Sequence, residues 1–156
     1  MQYVIQTLMG AVGAVGFAAL FNVKGKRLIL FFLGGALDWA VYLICTHHGC
    51  SMFMGLFFAT MTAALSSEVL ARVIHAPVLI SLVPMLIPLV PGSDLYYCMD
   101  GLIRGHQDVF LARGGIAVSA AGAICLGIIC VTAISHIFSA VYQHFCNHNK
   151  NHPGSI

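Results

Sequence analysis

Hydrophobic residues fall in long, nearly uninterrupted blocks, and the polar positions that separate them set the boundaries of the elements. No charged side chain occurs from Met1 to Val23 or from Gly114 up to Lys150, which ends the second run. Blocks of about 20 apolar residues are long enough to cross the hydrocarbon core of a bilayer as helices. The pattern predicts spans at roughly 3–22, 28–45, 52–73 and 114–141. A fourth span in chain order, 76–92, is short or broken, and the segment 94–112 is amphipathic. In that segment Leu95, Met99, Leu102, Val109 and Phe110 fall at helical spacing while Asp100, Arg104, His106 and Asp108 face elsewhere. It fits either the membrane interface or the wall of a wet cavity.

The fold class expected is therefore an all-α integral membrane protein with about five transmembrane helices. Residues 1–143 form a single membrane domain and 144–156 a polar C-terminal tail with no role in the fold. Composition agrees: 60% of residues are hydrophobic and 8% charged, against roughly 25% charged in soluble domains. A net charge of +2, thinly spread, gives no footprint for nucleic acid. Met-Gln-Tyr lacks the basic leader of a cleavable signal peptide. Lys24, Lys26 and Arg27 after the first span place that loop on the cytoplasmic side, with the N-terminus outside, and Arg72 marks the end of the third span as cytoplasmic too.

Small residues recur at every fourth position in three spans. Gly10, Ala14 and Ala18 form one row, with Gly13 and Gly16 widening its face. Gly55, Ala59, Ala63, Ser67 and Ala71 form a second, and Gly115, Ser119, Ala123 and Gly127 a third. Such rows let helices approach closely, so Gly55, Ala59, Ala63, Ser67, Gly115, Ser119 and Ala123 are expected packing positions.

The segment Leu82–Gly92 departs from this pattern. It is apolar and holds Pro84, Pro88 and Pro91, closed by Gly92. Each proline lacks an amide donor and crowds the carbonyl four residues before it, so an unbroken helix is not expected. Within a bilayer, broken helices occur where protein or a wet cavity satisfies the freed backbone groups. They line substrate sites in many transporters. The segment either crosses as a kinked helix or dips in and returns.

Few side chains carry chemistry at depth. Asp38 lies near the middle of the second span, next to Trp39, and is either a functional group or a structural carboxylate. Glu68 precedes Arg72 by four residues, the order that favours a helix ion pair; proton coupling is the alternative. Cys45-Thr46-His47-His48-Gly49-Cys50 offers imidazoles and thiols, but its spacing matches no structural zinc pattern, and a polar turn is expected. His136 reads as an interfacial histidine. No metal, cofactor or nucleophile–base motif is recognisable, so an enzyme is not expected.

Several of these residues together resemble a family. Gly16-Phe17-Ala18 through Phe21-Asn22-Val23, Glu68 with Arg72, and above all Val83-Pro84 with Ile87-Pro88-Leu89-Val90-Pro91-Gly92 followed by Tyr96 and Met99 are similar to the small membrane subunit of the split threonine/serine exporters. That subunit is equivalent to the C-terminal membrane half of the fused members, and the resemblance runs from about Val12 to Val141. It implies proton-driven export of threonine, serine or similar small carboxylate-bearing metabolites across the bacterial inner membrane. It also implies a larger partner subunit and an oligomeric assembly in the bilayer.

Joined to the reading of the residues, it gives a candidate substrate site at Pro84, Pro88, Pro91, Gly92 and Tyr96. Glu68 and Asp38 are the proton-coupling candidates. The competing expectation is a scaffold subunit whose partner holds the whole site.

Overall fold

A computed structural model of the chain describes residues 2–150, with side chains placed over 3–137. Six helices make up the fold: α1 (Gln2–Leu20), α2 (Arg27–His47), α3 (Met52–Ile74), α4 (Val78–Leu86), α5 (Gly92–Arg104) and α6 (Gln107–Lys150). No strand occurs among the described residues. α1, α2, α3 and the stretch Gln107–Ile137 of α6 are each long and apolar enough to cross a membrane. α4 with the following 3-10 turn, Ile87–Leu89, meets the same length and hydropathy criteria only when joined to α5, from which it is bent by 60°.

The helices end through a shared device. After α1, Asn22 adopts a left-handed conformation (φ 62°). Its amide donates to the Ala19 carbonyl at 3.0 Å and that of Val23 to Ala18 at 3.1 Å. This is the Schellman arrangement, which satisfies carbonyls orphaned at a helix end. Asparagine tolerates that backbone better than most residues, which gives the Phe21-Asn22 pair a physical reason. Gly49 after α2 (φ 79°) and Gly105 after α5 (φ 75°) close their helices in the same way. His75 does so after α3 with φ 54°, although it has a Cβ. α3 opens on Ser51, whose Oγ accepts from the Met54 amide at 3.3 Å.

α1 and α2 lie antiparallel in tight contact. A Cβ added to Gly35 would lie 2.6 Å from the Ala14 Cβ and 3.4 Å from the Gly10 carbonyl oxygen. Gly10 faces the Trp39 ring in turn. Gly10, Ala14 and Ala18 are buried, while Gly16 is exposed with open space beside it. On α3 the row Gly55, Ala59, Ala63, Ser67 and Ala71 is buried throughout. α6 runs parallel to α3: Gly127 sits against Thr60 and the Phe57 carbonyl, and Ser135 reaches Glu68. α4 crosses the inner face of this bundle, with Met85 against Gly34 and Pro88 beside Gly13. α5 packs on α6 alone.

Three boundaries differ from the pattern-based expectation. The segment 94–112 is not one element: Gly105 ends α5, and α6 begins at Gln107, seven residues ahead of the expected span at 114. α6 runs on to Lys150, so the first half of the tail 144–156 continues the helix; residues 151–156 lie outside the described residues. The third small-residue row is also shifted. Gly115 and Ser119 are exposed, and the buried face of α6 is Ala117, Ala120, Ala123, Gly127 and Val131.

The break is displaced as well. α4 continues through Pro84, and the chain leaves helical geometry at Val90 (ψ 130°) and Pro91. Proline disfavours helical geometry in the residue before it, and Val90 obeys this. Pro91 (φ −75°, ψ 64°) is the centre of an inverse γ-turn in which the Gly92 amide donates to the Val90 carbonyl at 2.8 Å.

Candidate functional site: the cavity at the break

At the break, two helix ends face one cavity of about 240 Å³. By the geometry of helix ends, the Pro88 and Leu89 carbonyls lack donors from the residues that follow, and the Ser93 and Asp94 amides at the start of α5 lack intrahelical acceptors. Residues Pro88 to Asp94 form one side of the cavity; Trp39, Tyr42, Met52 and Leu56 form the other. Its volume equals that of about eight liquid waters, enough for a small amino acid.

The cavity offers both kinds of partner. The Trp39 indole N–H is buried with no acceptor among the described residues. Asp94 is 8% exposed, and its Oδ1 accepts from Arg113 Nη1 on α6 at 2.8 Å. The Arg113 guanidinium also lies over the Tyr97 ring, 5.5 Å from its centroid. A carboxylate in the first turn of α5 is favoured by the helix dipole. The wall thus offers backbone amides, the side chains of Tyr42 and Ser93, and one carboxylate. That set matches a zwitterion: carboxylate to the amides, ammonium to Asp94.

Of the residues singled out in the sequence, the fold brings Pro88, Pro91 and Gly92 to this cavity. Pro84 is buried inside α4 and forms no part of the wall. Tyr96 is 66% exposed on α5 and faces away from the cavity lining. Asp38 is 1% exposed, one turn along α2 from Tyr42, and both its carboxylate oxygens lack hydrogen-bond partners among the described residues. Trp39, Tyr42, Ser93 and Asp94 complete the site. The signal for Asp94 is an acid two residues after a Pro-Gly pair, at the start of a helix. Tyr42 was recoverable as the residue four positions after Asp38, on the same face of α2.

Glu68 departs from the expected ion pair. Its Oε2 accepts a hydrogen bond from Ser135 Oγ on α6 at 2.6 Å, and no ion pair joins it to Arg72. The Cys45–Cys50 segment ends α2 and turns at Gly49, with the Cys50 amide donating to the Cys45 carbonyl at 3.1 Å. Cys45, Cys50, Cys98, Cys125 and Cys130 are free thiols. No grouping of His, Cys, Asp and Glu suited to a metal ion occurs among the described residues.

Comparison with known proteins bears on the whole bundle. The model of the family described as Threonine/Serine exporter, ThrE, matches residues 6–134. No curated protein and no solved structure matches. The family match spans most of the chain and includes every residue of the cavity, so the chain belongs to the threonine/serine exporter family.

Proposed function

We infer that this member of the threonine/serine exporter family supplies one membrane half of a secondary exporter, and that the cavity at the break holds its substrate. The observation that carries the reading is the break itself. Two opposed helix ends, with Asp94 in the first turn of α5, line one small space. Threonine and serine need a place for a carboxylate, an ammonium and a hydroxyl. Tyr42 and Ser93 serve the third.

Coupling to the proton gradient falls to Asp38 rather than Glu68. An ionised carboxylate stripped of water and of donors is costly, so Asp38 needs a proton or a cationic partner. Its position one turn from Tyr42 links that requirement to occupancy of the cavity. Glu68 lies instead in a more open setting and already holds a hydrogen bond.

A larger partner subunit completes the assembly. Gly115 and Ser119 on α6 and Gly16 on α1 are exposed small residues, the kind of surface on which another membrane helix packs closely. Many transporters are built from two related halves with the site between them, and this sequence has no internal repeat. In the bacterial inner membrane, Lys24, Lys26, Arg27 and Arg72 set the α1–α2 turn and the end of α3 on the cytoplasmic side. The N-terminus and the cavity at the break then lie toward the outside.

The test is exchange of labelled threonine and serine in proteoliposomes, with this chain alone and with its larger subunit. Exchange that requires both chains supports a two-part carrier. Exchange by this chain alone contradicts the division into halves, and no exchange in either preparation contradicts the transport reading.

A further inference from the structure

A second polar cavity, of about 380 Å³, lies at the far end of α4 from the break. Val78, the first residue of α4, forms part of its wall, as do Glu68 and Arg72 of α3 and Thr132, Ser135 and His136 of α6. Cationic and anionic side chains meet here without neutralising each other. Ser135 Oγ donates to Glu68 Oε2 at 2.6 Å, which fixes the carboxylate, while Arg72 forms no ion pair with a described carboxylate.

We propose that this cavity is a second binding site for a zwitterionic amino acid, on the opposite side of the membrane from the break. Glu68, oriented by Ser135, takes the ammonium; Arg72 takes the carboxylate, with help from the Val78 amide at the start of α4. Two features favour a zwitterion over a simple carboxylate. The fixed Glu68 carboxylate repels a second anion that has no positive group to offer it. It also retains acceptor capacity after the Ser135 bond, because an ionised carboxylate has about four lone-pair sites.

α4 with its 3-10 turn, Val78–Leu89, reaches both cavities, as does α3. Twelve residues at about 1.5 Å each span ~18 Å. The helix presents its amide end to one cavity and its carbonyl end to the other. A substrate crossing the protein thus meets one polar site at each end of a single short helix. This proposal rests on the exporter reading, and it supplies that reading with the site on the cytoplasmic side.

The experiment follows the His136 ring by NMR in the full chain, ¹³C-labelled at histidine, in lipid nanodiscs; His136→Asn assigns the signal. L-threonine is titrated against 3-hydroxybutyrate, which lacks the ammonium, and threoninol, which lacks the carboxylate. The His136 signal should move with threonine and not with either single-charge probe over the same range. Glu68→Gln and Arg72→Gln should each weaken the response about tenfold or more, the loss expected when a charged hydrogen-bonding partner is removed. Asp94→Asn, at the other cavity, should leave it intact.

An unmoved His136 signal overturns the proposal, as does a response indifferent to both variants or shared by 3-hydroxybutyrate. The proteoliposome exchange assay separates the two levels. Exchange without a His136 response removes this site and spares the exporter reading. A zwitterion-specific response without exchange keeps the site and contradicts transport.

Discussion

The α1–α2 contact and the α4–α5 break are built from opposite materials. Between α1 and α2, glycine and alanine bring two continuous helices so close that a single methyl group on Gly35 meets Ala14 and the Gly10 carbonyl. Between α4 and α5, the chain leaves helical geometry at Val90 and Pro91, and residues 88–94 line a cavity. The same bundle thus holds a seam with no room for an added atom beside a gap sized for a small molecule. Small residues close space because every backbone group remains paired within its helix. Prolines open it because some groups lose their partners and need something else.

Filling the seam should have the largest effect. Gly35→Val should cost about 1–3 kcal/mol or more by overpacking, the largest stability loss here, read as a lowered unfolding midpoint in detergent micelles. Asp38→Asn is next, and its effect falls on function. Transport should lose its response to an imposed pH gradient, while the unfolding midpoint stays level, because no described donor is left unpaired.

Pro91→Ala sharpens the account of the gap. It releases the constraint on Val90 and lets helix extend through the turn. Threonine exchange should fall while the unfolding midpoint moves by about 1 kcal/mol or less. The smallest effect belongs to Gly16→Ala, where no atom lies within 4 Å of the added methyl. That variant should gain about 0.5–1 kcal/mol in helix stability, opposite in sign to Gly35→Val.

Much of the seam was legible from spacing alone. Gly10, Ala14 and Ala18, and the α3 row from Gly55 to Ala71, needed only a period of four in apolar spans. α2 and α3 fall within two residues of their expected limits. The failures share a cause, which is that tertiary partners decide between local alternatives. Gly115 and Ser119 satisfied the same period of four on a face left exposed among the described residues. Glu68 and Arg72 were suitably spaced for an ion pair, yet Ser135, 67 residues away in sequence, holds the carboxylate.

The three prolines could not be ranked by sequence. Pro84 lies within a helix, whereas Pro91 follows a residue already leaving one. The cavity drew its other wall from Trp39 and Tyr42 on a different span, and no local pattern announces that meeting. Gly105 marked the end of α5 plainly enough, but the amphipathic period on either side of it invited one element where there are two.

Substrate in the space at the break should shield a thiol placed there. Ser93→Cys is introduced into the chain with its native cysteines replaced by alanine, and modification by a small thiol reagent is timed with and without L-threonine. The account predicts that threonine slows modification of the thiol introduced at Ser93 several-fold. A control thiol introduced in the same way at exposed Ser119 should be unaffected. Equal rates at Ser93→Cys with and without saturating threonine would contradict it.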